Sequence, residues 1–87
     1  MSVSETVSNI LSKKDLTKRA LADGLNTTEQ NLYNKMKRDN FTAKELVEIG
    51  LTLNLKLSFI DTENGDQYDI EYNKNELFKP KRKNKSE

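Results

Sequence analysis

The spacing of the apolar residues changes once along this 87-residue chain, close to Asn54. Before Asn54 they recur every three or four positions, which is the spacing of amphipathic helices. After it, Leu57 and Phe59 alternate with polar residues, and so do Tyr68 and Ile70, which is the spacing of β-strands. A chain of this length forms at most one domain with a small core. The change of spacing predicts that this domain is mainly α with a C-terminal β-hairpin.

Capping signals predict where the first and last of four helices begin. Residues 2–5 and residues 42–45 each place a Ser or Thr three positions before a Glu, which is the pattern of a capping box. The second box lies inside a hydrophobic staple formed by Phe41 and Leu46. The expected ranges are about 4–12 for helix 1 and about 43–53 for helix 4. Their expected core residues are Val3, Val7, Ile10 and Leu11 in helix 1, and Leu46, Val47, Gly50 and Leu53 in helix 4.

Residues 16–38 predict two further helices joined by a tight turn. Thr17 can cap the first of them, whose apolar side chains Leu21 and Leu25 lie one turn apart. Asn26 follows this helix, and asparagine is one of the few L-residues that adopt the left-handed backbone conformation closing such a turn. This stretch therefore has the outline of a helix-turn-helix.

The second of these helices has an apolar side and a polar, basic side. Thr27 or Thr28 supplies its cap, while Leu32 and Met36 face the core. Its polar side carries Glu29, Gln30, Tyr33, Asn34 and Lys37. A helix with hydrogen-bonding side chains near its start and cations at its end suits the DNA major groove. The alternatives are a solvated pair of helices without a ligand, and a Tyr33 that packs partly in the core.

At these residues the chain resembles the lambda-repressor-like, or Xre-type, helix-turn-helix family, over about residues 4–54. The positions that match the usual small and apolar residues of the family are Leu21, Ala22, Leu25 and Leu32. Two positions depart from its pattern, because Asn26 replaces the usual turn glycine and Thr27 replaces an apolar residue. The resemblance implies a four-helix, lambda-repressor-like domain, to which the hairpin and a basic tail are attached.

The same resemblance implies a sequence-specific regulator of transcription that binds double-stranded DNA. We expect a small bacterial or phage-type repressor that acts as a homodimer on an inverted repeat. Gln30 is expected to be the main base reader, because its side chain can pair bidentately with adenine. The full set of expected base-reading residues is Glu29, Gln30, Tyr33 and Asn34. The expected phosphate-binding residues are Lys18, Thr28, Lys35, Lys37 and Arg38.

Residues 55–72 form the predicted hairpin, with a turn at the pair Asn64-Gly65, which favours positive φ. Its apolar face is expected to carry Leu57, Phe59, Tyr68 and Ile70. An isolated two-stranded hairpin is marginal in water, so this face needs cover. Either the helices of the same domain cover it, or it pairs with a second subunit and serves as a dimerisation element.

The net charge of +1 conceals an uneven distribution. Residues 1–40 carry +2, residues 41–72 carry −5 and residues 73–87 carry +4, so only part of the surface is expected to meet phosphate. Leu77 and Phe78 are a candidate anchor, and the lysine-rich remainder either solubilises the domain or contacts phosphates. The expected division is a helix-turn-helix domain at 1–54, a hairpin at 55–72 and a flexible basic tail at 73–87.

Side chains for catalysis and metal binding are scarce. The sequence has no histidine and no cysteine, which removes the usual nucleophiles, proton carriers and transition-metal ligands. The acidic residues within 61–69 lack the spacing of a calcium-binding loop. We therefore expect no enzyme activity, no metal and no cofactor.

Neither an apolar run of membrane-spanning length nor a secretory signal is visible in the sequence. We therefore expect a cytoplasmic protein without membrane contact. The rival function is a protein-interaction module on a helix-turn-helix scaffold, such as an inhibitor or an antitoxin. The acidic middle and the hairpin edge favour it, since DNA would use neither surface. A regulatory protein partner is compatible with both functions.

Overall fold

The computed structural model describes residues 2–78. Within this range the chain forms four α-helices, one two-stranded antiparallel sheet and a 3₁₀ turn, so the predicted fold class is confirmed. In chain order the elements are α1 (Val3–Lys13), α2 (Lys18–Gly24), α3 (Glu29–Arg38), α4 (Ala43–Thr52), β1 (Ser58–Ile60), β2 (Gln67–Asp69) and the turn Lys74–Glu76. No helix in residues 2–78 is long and apolar enough to cross a membrane.

Both predicted capping boxes are present. The backbone N–H of Ser2 donates to the Glu5 carboxylate and that of Glu5 donates to the Ser2 hydroxyl, each over 3.0 Å. Thr42 and Glu45 form the same pair of bonds, over 2.8 and 3.1 Å. These bonds satisfy backbone donors that have no partner inside a helix, so they fix where α1 and α4 begin.

The four helices also end alike, on an aspartate or an asparagine with a left-handed backbone. These residues are Asp15, Asn26, Asp39 and Asn54, with φ between 54° and 63°. After each of them, the next residue donates its N–H to the carbonyl oxygen five residues earlier, over 2.6–3.2 Å. This bond defines the Schellman motif, where glycine is the usual left-handed residue. Of the four, only Asn26 is predicted from the sequence.

The core lies where the four helices meet. It consists of Val7, Leu11, Leu21, Ala22, Leu25, Leu32, Met36, Ile49 and Leu53. Three residues expected in the core are less buried, since Val3 is 40% exposed and Ile10 and Leu46 only pack against its edge. In α4 the buried face includes Glu48, at 1% exposure, which was not expected there.

Three polar contacts join the start of α1 to the end of α3. The Ser4 backbone N–H donates to the Asp39 carboxylate over 2.8 Å, and the Ser4 hydroxyl lies 2.8 Å from the same carboxylate and 2.7 Å from the Met36 carbonyl. The hydrogen bonds from Ser4 lower the pKa of Asp39. They hold α3 at a fixed position against α1.

The chain returns to the helices after the hairpin. Leu77 is buried at 7% exposure, and Phe78 packs against the edge of the core. Residues 73–78, which the sequence assigns to the flexible basic tail, therefore depart from that description, because Leu77 and Phe78 bring apolar side chains to the helical core. The remainder of that predicted tail, residues 79–87, lies outside the described residues.

The hairpin has short strands and a long loop. Phe59 lies directly opposite Tyr68, and the Ile70 N–H donates to the Leu57 carbonyl over 2.8 Å, which continues the same register. These four residues therefore share one face of the hairpin, as predicted. The loop over residues 61–66 turns back at Gly65, whose φ is +85°.

The opposite face of the hairpin is polar around Asp69. Ser58 donates its hydroxyl to the Asp69 carboxylate over 2.6 Å, Gln67 donates to it over 2.8 Å, and Lys56 Nζ lies 3.2 Å away. These bonds, chiefly the one from Ser58, lower the pKa of Asp69 from 3.8 to about 2. Because they favour the charged carboxylate, they link hairpin stability to pH.

The pH dependence of the hairpin follows from this shift. Since the pKa is lower in the folded than in the unfolded chain, we expect the stabilisation by Asp69 to be complete above about pH 4 and lost as pH falls towards 2. An NMR titration of the side-chain carboxyl carbon should give a midpoint near 2 in the native protein. The variant Asp69→Asn should lack this contribution at every pH. A midpoint at 3.8 would contradict the bonding described.

The left-handed helix ends predict a stabilising substitution. No described hydrogen bond involves the side chain of Asn54, so Asn54→Gly should remove only the strain of a side chain at positive φ. The relief of strain stabilises the folded chain, while the larger conformational entropy of glycine stabilises the unfolded chain. We expect a net gain of up to about 1 kcal/mol in the free energy of unfolding. Urea denaturation measures it. Asn40→Gly, outside the left-handed region, is the matched control and should destabilise.

Candidate functional site

The turn between α2 and α3 brings the two helices into a helix-turn-helix. Asn26 and Thr27 donate their backbone N–H groups to the carbonyls of Asp23 and Ala22, over 3.1 and 3.0 Å, which closes α2. Of the two candidates for the next cap, Thr28 fills the position, and its hydroxyl accepts from the Asn31 N–H over 3.0 Å. The bend is thus fixed by backbone bonds and one side-chain cap.

The exposed side of α3 is polar over its whole length. Leu32 and Met36 are buried, and at 100° per residue the side chains of Gln30, Asn34 and Lys37 lie opposite them. The Gln30 side-chain amide donates to the Asn34 side-chain oxygen over 3.3 Å. The structure therefore places two amide side chains next to each other at the middle of this exposed side.

The two remaining expected base readers lie beside this pair. Tyr33 is 51% exposed, so it lies at the surface and not in the core. Glu29 is exposed in the first turn of α3. At 100° per residue, both lie on the flank of α3 nearer to Met36 than to Asn34.

The expected phosphate-binding cations fall into two groups. Lys18 and Lys37 line a shallow depression together with Tyr33 and the α1 residues Ser8 and Asn9. Arg38 lies on the other side of α3, in a cleft towards α4. The cations thus flank the polar side of α3 from both directions.

Lys35 has a partner within the domain. Its Nζ lies 3.1 Å from one carboxylate oxygen of Glu45 and 3.2 Å from the other. Glu45 also belongs to the capping box of α4, so this ion pair connects α3 to the start of α4. The charge of Lys35 is partly neutralised by this pairing, whereas Lys37 and Arg38 form no ion pair with any residue in the range 2–78.

The cleft between α3 and α4 has a volume of about 320 Å³. Asn34, Arg38 and Glu48 are among its lining residues. The Glu48 carboxylate accepts the Phe78 N–H over 2.7 Å. Sequence reasoning missed Glu48 because its burial depends on a segment 30 residues later in the chain, and no local pattern signals that contact.

The expected dimerisation residues differ in exposure. Phe59 and Tyr68, near the loop, are 69% and 59% exposed. Leu57 and Ile70, nearer to the helices, are half-buried and line a groove with apolar residues of α4 and with Leu77. The helices of the domain therefore cover one end of the apolar face and leave the other end open.

The arrangement offers hydrogen-bonding and charged groups at the surface of α3. Among the described residues, no three His, Cys, Asp or Glu side chains come together in a way that could hold a metal ion. The chemistry available on α3 is recognition of a polar, anionic ligand by amides and cations.

Comparison with known proteins identifies the family. The family model of the bacteriophage CI repressor helix-turn-helix domain matches residues 5–68, which is well over half of the chain and covers α2, α3, α4, β1 and all of α1 except its first two residues. No curated protein and no solved structure matches significantly. The match confirms the expected relation to lambda-repressor-like helix-turn-helix proteins. The chain belongs to the bacteriophage CI repressor helix-turn-helix domain family.

Proposed function

We propose that this protein is a sequence-specific regulator of transcription, a small phage-type repressor that binds double-stranded DNA as a homodimer. The family is one of DNA-binding repressor domains and not of enzymes. The observation that supports specific binding best is the exposed amide pair of Gln30 and Asn34 on α3. Such a regulator works where the DNA is, which is the cytoplasm in a bacterial host.

In the proposed complex, α3 lies in the major groove and Gln30 reads a base. A glutamine side chain can donate to N7 of adenine and accept from the N6 amino group at the same time only if its amide lies in the plane of the base. Asn34 supports this role, because its contact with Gln30 restricts the rotation of the Gln30 amide. Tyr33 and Asn34 are secondary readers, and Glu29 accepts from cytosine or orients a neighbour.

Phosphate contacts on both sides of the groove would fix the register of α3. Lys18 and Lys37 supply them from the side of α1, and Arg38 from the side of α4. Thr28 adds its hydroxyl hydrogen at the start of α3 while its oxygen caps the helix. We assign Lys35 a smaller share, since its ion pair with Glu45 has to be weakened before it binds phosphate.

A dimer would double the number of bases that are read. One recognition helix covers only a few base pairs, whereas two subunits related by a two-fold axis read half-sites about 10 base pairs apart in an inverted repeat. We propose that Phe59 and Tyr68 form the centre of the interface, because they are the apolar residues of the hairpin that the domain leaves exposed. Leu57 and Ile70 lie on the same face, nearer to the helices, and would extend the interface at its edge.

The rival function remains a protein-interaction module of the inhibitor or antitoxin type. The observation in its favour is the same exposed tip, where Ile60 is 62% exposed in addition to Phe59 and Tyr68. A regulatory protein partner of the repressor could use this tip as well.

A gel-shift assay against the DNA upstream of its own gene separates the two functions. A specific shift that survives competitor DNA supports the repressor. Absence of any shift, even at low salt, would favour the interaction module.

Replacement of Gln30 tests base reading. Gln30→Ala should weaken operator binding by about 1–3 kcal/mol and leave binding to random DNA nearly unchanged, because the base contact is lost and the phosphate contacts remain. Fluorescence anisotropy with both duplexes measures it. Lys37→Ala is the matched control, and it should weaken both duplexes and reduce the salt slope by about one unit. Equal losses for Gln30→Ala on the two duplexes would contradict the assignment.

Replacement of the exposed hairpin residues tests the dimer. Phe59→Lys with Tyr68→Lys should raise the dimer dissociation constant by about three orders of magnitude, since central aromatic residues contribute about 2 kcal/mol or more each and about 1.4 kcal/mol is a factor of ten. Both side chains are exposed, so circular dichroism should show an intact helical fold. Analytical ultracentrifugation gives the constant.

Ile60→Lys is the control for that experiment, because Ile60 is also exposed but lies on the opposite face of the hairpin. It should leave the dissociation constant almost unchanged. A wild-type protein that stays monomeric at micromolar concentration, both alone and on DNA, would rule out the dimer.

A further inference from the structure

Thr27 occupies a position where lambda-repressor-like proteins usually have an apolar residue. Its side chain is half-buried and lines the cleft between α3 and α4. The Thr27 hydroxyl accepts a hydrogen bond from the side-chain amide of Asn31, four residues later, over 3.3 Å. A polar pair therefore replaces an apolar contact, and neither residue is among those predicted from the sequence to bind DNA.

This pair keeps hydrogen-bond donors that the domain does not use. A threonine hydroxyl has one hydrogen and an asparagine amide has two. Within residues 2–78, the Asn31 amide donates only to Thr27, and no acceptor receives the hydroxyl hydrogen of Thr27. Both side chains are only partly buried in the wall of the cleft. Two donors are therefore open to a ligand there.

Among the described residues, the charged groups that line the cleft leave one cation without a partner. Lys35 pairs with Glu45, and the buried carboxylate of Glu48 accepts the Phe78 N–H. Arg38 lines the same cleft and forms no ion pair within residues 2–78. The cleft thus offers a guanidinium and two neutral donors, a combination that suits the oxygens of an anion.

Asn31 and Arg38 lie on the same flank of α3. They are seven residues apart, so at 100° per residue their directions differ by only about 20°, and they are about 10 Å apart along the helix axis. In the proposed complex this flank faces one DNA strand, because Arg38 contacts phosphate from the side of α4. The pair of Thr27 and Asn31 would meet the same strand nearer to the start of α3.

We propose that Thr27 and Asn31 together bind a backbone phosphate of the DNA strand that Arg38 also contacts. The inference rests on the proposed function, which places α3 in the major groove. The Thr27 hydroxyl and the second N–H of the Asn31 amide donate to the phosphate oxygens, and the bond between the two side chains keeps both donors in place. Such a contact carries no sequence information but fixes the register of α3 on the duplex.

Thr27→Val tests the pair, because valine has nearly the same shape, lacks the hydroxyl and restores the apolar type usual at this position. We expect operator and random DNA to bind about tenfold more weakly, which is the fold-change of one hydrogen bond to a charged group. Fluorescence anisotropy over a range of salt concentrations measures it. The slope of log K against log salt should not change, because a neutral donor does not displace counterions.

Three further variants give different results if the assignment is correct. Arg38→Ala should also weaken both duplexes but lower the salt slope by about one unit. Gln30→Ala should weaken the operator complex alone. Thr27→Ser keeps the hydroxyl and should bind both duplexes as the wild type does. Loss of binding in Thr27→Ser equal to that in Thr27→Val would contradict a role of the hydroxyl.

A scan of the operator backbone locates the phosphate. Each phosphate in turn is replaced by an uncharged methylphosphonate, and the wild type is compared with Thr27→Val on every duplex. At one position in each half-site, Thr27→Val should no longer weaken binding, while the two changes should be additive elsewhere. A purely structural role of Thr27 would give additive effects at every position, and this result would overturn the inference.

The same measurements separate this inference from the proposed function. A wild type that does not distinguish operator from random DNA would contradict specific regulation, and Thr27→Val on random DNA would still test the pair. A wild type that does distinguish them, with Thr27→Val binding both duplexes equally well, would overturn the inference alone. A wild type that binds no DNA would overturn both.

Inorganic phosphate is the control for a free anion as the ligand. It is added to the wild type without DNA, and the NMR signals of the Asn31 side-chain amide are followed. We expect no saturation at millimolar phosphate, since a single anion lacks the many other contacts of a duplex. Saturation in this range would assign the cleft to a free anion and would overturn the inference.

Discussion

The position of three segments depends on the single residue Asn26. Its left-handed backbone ends α2, so that Thr28 can start α3 two residues later in a new direction. Its side chain holds the carbonyl of Phe78 and thereby the last described residue of the chain. A turn with glycine would give the same backbone, but it would leave the returning segment without this bond. Asparagine therefore performs two functions at this position, whereas glycine would perform only the first.

Local interactions explain why much of the fold follows from the sequence. The capping boxes at Ser2 and Thr42 involve residues three positions apart, so they can be recognised without knowledge of the tertiary structure. The same holds for the two-residue period of the hairpin. The ends of α1, α3 and α4 are harder to predict, because Asp15, Asp39 and Asn54 take a conformation that these residue types adopt only occasionally.

The candidate site follows from the sequence only in part. The polar side of α3 is a consequence of helical periodicity, and the pair Gln30–Asn34 lies one turn apart as expected. Long-range contacts decide the rest. Lys35 pairs with Glu45 on another helix, and Glu48 is buried by a segment far along the chain. A single sequence carries no signal for such pairs, since no local pattern links one partner to the other.

The small size of the open hairpin tip has a consequence for regulation. Its apolar face exposes chiefly Phe59 and Tyr68, whereas a standard interface involves about 20–30 residues on each partner. The proposed dimer is therefore in exchange with its monomers. By mass action, a twofold fall in subunit concentration lowers the dimer concentration about fourfold when monomers predominate. In the proposed repressor, gene dosage and dilution by cell growth would then control operator occupancy, and the promoter would be released without an inducer.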